Sequence, residues 1–159
     1  MMRALITKTL FVLSILSAQA LAFDVGGFSY TVIGATTDVE VKGRTSGNTD
    51  TDIVIPATVL DGTTTYSVTT IGDSAFYQKA LTSVTIPDSV TTIGDDAFRN
   101  NYTLTSVIIG NSVTTIGIEA FAGNALTSVI IPDGVTTIGN GAFAVNALTS
   151  VTISDSVET

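Results

Sequence analysis

The sequence predicts a mainly β repeat solenoid. It should be a right-handed coil with a parallel β-sheet, a second short strand and one helical turn in each 22–23-residue repeat, behind an N-terminal β-hairpin cap. Three observations carry this reading. The segment Leu81-Thr82-Ser83-Val84-Thr85-Ile86-Pro87 returns as Leu104-Thr-Ser-Val-Ile-Ile-Gly110 and as Leu126-Thr-Ser-Val-Ile-Ile-Pro132, and starts again at Leu148. Between these segments run further columns: Ile-Gly at 71–72, 93–94, 116–117 and 138–139, Ala-Phe at 75–76, 97–98, 120–121 and 142–143, and Val at 90, 113, 135 and 157. The apolar content is 45%, yet aromatics make up only 7% and Trp is absent, so the buried side chains are small and branched. Such side chains suit flat, repeated layers better than one core built around large rings.

The elements follow in order. Residues 1–22 read as a secretory leader: Arg3 and Lys8 give a positive start, Thr9 to Leu16 a short apolar run, and Ala18-Gln19-Ala20 and Ala20-Leu21-Ala22 the small-x-small pattern of a cleavage site. That run is well short of the roughly 20 residues a membrane span requires. Residues 23–52 form a β cap and a loop. Phe28 to Ile33 and Asp38 to Val41 alternate like strands about a polar turn, and Lys42 to Asp52 reads as loop. Residues 53–80 are an atypical first repeat: Ile53-Val-Ile-Pro56 resembles the later strand cores, and Asp61-Gly62 signals an inserted hairpin. Regular repeats then run over 81–103, 104–125 and 126–147, with a partial one at 148–159. One unit carries an extra residue within Arg99-Asn-Asn-Tyr102.

Within a repeat, Val84 and Ile86 lie two apart and share one strand face, which should point inward. Pro87 and Pro132 end the strand because proline cannot donate to a ladder. Asp88-Ser89, Asn111-Ser112 and Asp133-Gly134 turn the chain, and Val-Thr-Thr-Ile forms the second short strand. The Ala-Phe segment is too short for an independent helix and is expected as one helical turn. Phe76, Phe98, Phe121 and Phe143 should stack inside as a spine. Asn101, Asn124 and Asn146 fall three residues after their Phe, where an amide can bond the main chain of adjacent coils.

Charge and composition narrow the chemistry. Without the leader the chain keeps four basic residues against 14 acidic ones, a net charge of −10, which repels nucleic acid and anionic lipid alike. There is no Cys, so no disulfide staples an exported chain, and no His, so a serine triad is ruled out and the usual zinc and copper ligands are missing. Two carboxylate groupings invite chemistry. Asp95, Asp96 and Glu119 could form a hydrolytic pair, but nothing suggests the walled cleft that would raise a carboxyl pKa. Asp88, Asn111, Asp133 and Asp155 form a column of oxygen ligands suited to calcium, and turn-forming Asx residues explain the same column. The expectation is no catalysis, no cofactor and no resident metal.

Leu81 to Phe98, Leu104 to Phe121 and Leu126 to Phe143 closely resemble the BspA-type leucine-rich repeat family of bacterial surface and secreted proteins. The pattern shared is L-x-x-[VI]-x-[IL]-P-x-x-[VI]-x-x-I-G-x-x-A-F. The start is similar too, in Phe28-Ser-Tyr-Thr-Val, Ile53-Val-Ile-Pro and Tyr66 to Phe76. The resemblance implies a leucine-rich-repeat-like coil, a secreted or cell-surface location and a binding or adhesive role. Many family members carry Cys where this chain has Asn101, Asn124 and Asn146. The repeat pattern breaks off at Asp155-Ser-Val-Glu-Thr159, before the Ile-Gly and Ala-Phe columns.

Alternation places Ser83/Thr85, Ser106/Ile108, Ser128/Ile130 and Ser150/Thr152 on the outer strand face. Small serines let a partner approach the main chain, and Ile108 and Ile130 offer an apolar anchor. This face is the candidate binding site for an extracellular protein or glycan. The alternative is a structural protein that associates end to end through its open coil ends.

Overall fold

The structure, a computed structural model, describes residues 21–153 and Val157. The expected leader up to residue 20 and the final turn at Asp155 lie outside the described residues.

The chain begins as an antiparallel meander. Strands β1 (Ala22–Val25) and β2 (Phe28–Val32) join across Gly26-Gly27, both at positive φ, as a two-residue hairpin turn requires. Strand β3 (Asp38–Arg44) returns along β2. The stretch expected as loop from Lys42 is therefore strand as far as Arg44, because Ser29 and Phe28 pair with Gly43 and Arg44. Gly43, at φ 136°, is required there: a Cβ would lie 2.3 Å from the carbonyl oxygen of Ala75. The hairpin inserted at Asp61-Gly62 is present as β5 (Thr58–Asp61) against β6 (Thr64–Ile71).

From there the chain winds in coils, each contributing one strand to two sides. On the first side, β4 (Asp52–Val54), β7 (Ser83–Thr85) and β9 (Ser106–Ile108) form one parallel sheet, and β11 (Ser128–Ile130) and β13 (Ser150–Thr152) form another. On the second side, β8 (Thr92–Ile93), β10 (Thr115–Ile116) and β12 (Thr137–Ile138) extend a sheet that runs β1-β2-β3-β6-β8-β10-β12. The meander thus covers the start of the second-side sheet, where the first coil would otherwise show a bare edge.

The third side corrects the expected helical turn. The Ala-Phe segments are successive β-turns and hold no helix. Ser74, Asp96, Glu119 and Gly141 have positive φ, as do Gln78, Asn100, Gly123 and Val145 four residues later, and each breaks a right-handed helical run. Main-chain donors alternate between two uses. Phe76, Phe98 and Phe121 donate to Ala97, Ala120 and Ala142 of the next coil at 2.7–2.8 Å, while Ala75, Ala120 and Ala142 close turns on Gly72, Gly117 and Gly139. Bonding between coils outcompetes the helix because every coil offers the one before it the same acceptor.

The core is columnar. Phe76, Phe98 and Phe121 are fully buried and stack with centroids 5.1–5.3 Å apart, continuing to the half-buried Phe143. Phe28 caps the spine edge-on to Phe76 at 6.0 Å. The Asn column works as the sequence suggested. Asn101 Oδ1 accepts the N–H groups of Lys79 and Leu81, and Asn101 Nδ2 donates to the carbonyls of Phe76 and Phe98. Aspartates make a second ladder on the surface: Asp73 and Asp95 accept the N–H groups of Asp95 and Ile118.

Candidate binding face

The strand side is built from three-residue strands whose middle side chain is buried in β4, β7 and β11, half-buried at Val107 of β9 and exposed at Val151 of β13. Val84 and Val129 are buried while their neighbours in sequence face out. Parallel registry aligns Ser83 with Ser106 and Thr85 with Ile108, and aligns Ser128 with Ser150 and Ile130 with Thr152. Ser83 and Thr85 are half-exposed; Ser106, Ser128, Ser150 and Thr152 are exposed. Ile108 is 60% and Ile130 70% exposed, high values for Ile.

The face reaches one coil further than the repeat pattern indicated. Asp52 pairs with Ser83 and Val54 with Thr85, so these two residues head the Ser and the variable columns. Val54 is 69% exposed. The signal lay in Ile53-Val-Ile-Pro56, which already matched a strand core. Asp52 Oδ1 accepts the hydroxyls of Thr82 and Ser83, and these bonds hold its carboxyl below the usual carboxylate range.

The sheet is interrupted inside this face. Ile86 N–H donates to Ile108 O at 2.9 Å and Thr105 N–H to Thr82 O at 3.1 Å, closing β7 on β9. Ile131 to Thr152 and Thr149 to Thr127 close β11 on β13 in the same way. The equivalent bonds between β9 and β11, from Ile109 to Ile130 and from Thr127 to Thr105, do not form. The two coils remain joined on their other sides, through Thr115↔Thr137, Ile116↔Ile138 and the bond from Phe121 to Ala142. Gly110 borders the interruption. It stands where the adjacent repeats have Pro87 and Pro132, and a Cβ on it would lie 2.3 Å from Pro87 O, so the chain after β9 packs close against the preceding coil. Between β9 and β11 lies a pocket of about 280 Å³ walled by Ile108 and Ile130. Val107 at its floor is half-buried, unlike Val84 and Val129.

The carboxylate groupings serve the fold. Arg99 Nη1 donates to Asp96 Oδ1 at 3.0 Å and pairs with Glu119 Oε2 off the hydrogen-bonding axis. The bond to Asp96 raises the guanidinium pKa, the charge of Glu119 adds to this, and desolvation opposes both. Asp88 Oδ1 accepts Asn111 N–H, fixing the turn after the strand. Among the described residues, no group of three or more acidic side chains converges as a metal site would require, and no helix is long and apolar enough to cross a membrane.

Coils of 22–23 residues, two parallel strand sides and a buried Leu, Val, Ile and Phe lattice define a leucine-rich-repeat solenoid. The chain belongs to the BspA-type leucine-rich repeat family: residues 66–159 match the BspA type leucine-rich repeat region in six copies. Solved structures agree. A leucine-rich repeat protein from Bacteroides capillosus is 30% identical, over 84% of this chain and 98% of that one, with a TM-score of 0.73. One from Bacteroides ovatus is 30% identical, over 86% of this chain and 42% of that one, with a TM-score of 0.67. A leucine-rich cell surface protein from Faecalibacterium prausnitzii is 32% identical, over 89% of this chain and 45% of that one, with a TM-score of 0.65. The chain thus spans less than half the length of the latter two proteins. No curated protein matches the chain.

Proposed function

We propose that the chain is an exported, non-catalytic binding module that presents its strand face to a protein outside the cell. The observation that carries this reading is the exposure of Ile108 and Ile130, side by side on adjacent coils in the one outward strand column that varies between the regular repeats. Large apolar side chains held open among serines are costly unless a partner covers them, and such anchors supply most of the energy in protein interfaces. The leader-like residues 1–22 support export, and the cell-surface description of the F. prausnitzii protein supports display outside the cell. Asp96 and Glu119 are both engaged by Arg99, a structural pairing that favours binding over hydrolysis.

The test is an array of extracellular proteins and glycans probed with the protein and with an Ile108→Lys/Ile130→Lys variant. The reading expects a protein ligand whose signal the variant loses. Retention only on glycans, or protein binding indifferent to both substitutions, would overturn it. Light scattering over a concentration series reads out the alternative, association of coil ends between copies, as growth in size.

A further inference from the structure

The break between β9 and β11 is a local device within the strand face. Only this junction, among those joining β4, β7, β9, β11 and β13, lacks its ladder, although the same two coils are hydrogen-bonded on their other sides. The bonds from Ile109 to Ile130 and from Thr127 to Thr105 that would close it do not form. β9 and β11 still lie within 8 Å of each other, short of the roughly 9.5 Å that a strand bonded to both would need, so the opening admits a side chain and not a main chain. The pocket of about 280 Å³ between Ile108 and Ile130 suits one bulky apolar side chain, and it is smaller than typical sites for drug-sized ligands, roughly 300–1,000 Å³.

Charge identifies the occupant further. Asp88 and Asp133 follow the first-side strands of their coils, and Asp52 stands in the Ser column of the face. The described residues from 81 onward include a single basic side chain, Arg99, and it is engaged by Asp96 and Glu119 on the turn side. The strand face therefore attracts cations and offers them no competing positive charge.

We propose that the opening between β9 and β11 receives one bulky apolar side chain of a cationic polypeptide segment. That side chain enters between Ile108 and Ile130 while the segment lies over the strand face. Flanking Lys or Arg side chains lie toward Asp88 and Asp133. The proposal rests on the reading of the strand face as a protein-binding surface and names the chemistry of the partner.

The probe is the synthetic nonapeptide Lys-Thr-Lys-Thr-Phe-Thr-Lys-Thr-Lys, compared with versions in which Phe is replaced by Ser or every Lys by Glu. Dissociation constants are measured at low and at near-physiological salt, and amide shifts are followed by NMR. The proposal expects the Phe peptide to bind at least about ten-fold tighter than either comparison peptide. Its affinity should weaken with salt, as a screened cationic ligand requires. Amide shifts should centre on Ile109 and Thr127. Ile130→Ser should weaken binding about ten-fold, while Ile118→Ser, an exposed site on the turn side, should not. Equal affinity for the Phe and Ser peptides, or an unchanged constant for Ile130→Ser, would overturn the proposal. Shifts centred on Val54 and Thr85 would also overturn it, yet leave the strand face as a binding surface. A protein ligand found on the array and indifferent to every strand-face substitution would remove both readings.

Discussion

The side-chain carbonyl of Asn124 accepts the main-chain N–H of Asn101 at 2.9 Å. Asn101 in turn serves Lys79 and Leu81 of the coil before, so the amides relay from coil to coil through a region closed to water. Removing one link strands several buried polar groups at once. Asn101→Ala should cost about 3–5 kcal/mol, since each buried group left unpaired costs about 1–3 kcal/mol. Urea unfolding checks this, with Asn146→Ala expected to cost less because Asn146 is partly exposed.

The Phe spine predicts a gradient along the chain. Phe121 is fully buried between Phe98 and Phe143, and Phe121→Ala should cost about 3–5 kcal/mol. Phe143 is half-buried and should cost clearly less. Similar costs at both positions would show that the spine does not carry the core.

Tyr30 is buried, and burial pushes its phenol up to about 12. A tyrosine in the unfolded chain releases its proton near pH 10, so the folded state retains the proton longer. The contribution of Tyr30 is therefore complete below pH 10 and is lost as pH rises through 12, by about 2.7 kcal/mol for two pKa units. Unfolding free energy measured from pH 9 to 11.5 should fall less steeply in Tyr30→Phe than in the parent.

Val145 has φ 54° with its side chain in solvent. A β-branched residue is strained in this region, where the equivalent positions hold Gln78, Asn100 and Gly123. Val145→Asn should stabilise the protein by about 1 kcal/mol, read as a rise in melting temperature. A fall would mean that Val145 makes a contact worth more than its strain.

What was legible in the sequence follows from what repetition encodes. A fixed period specifies contacts between equivalent residues, so the strand columns, the Phe stack and the Asn relay could all be read from spacing. Spacing is silent on how a segment uses its hydrogen bonds. The Ala-Phe stretch read as one helical turn, yet its donors serve neighbouring coils, and left-handed residues such as Ser74 and Asp96 break the run. Singular features were hidden for the opposite reason. β1 and the extension of β3 to Arg44 belong to a cap with no second copy for comparison. Asp52 and Val54 belong to a first coil whose later part diverges from the pattern. The interruption between β9 and β11 falls beside Gly110, in a column that holds Pro87 and Pro132 in the adjacent repeats, and the spacing of the columns does not announce it.

The central claim is that the repeating columns hold the coil together while the variable column recognises the partner. Melting temperature and partner affinity measured together on Ile108→Lys/Ile130→Lys test it most directly. Both side chains stand in solvent, so the account predicts a melting temperature within about 2 °C of the parent and at least a ten-fold loss of affinity, roughly 1.4 kcal/mol or more. A melting temperature lowered as far as that of Phe121→Ala, with affinity unchanged, would contradict it.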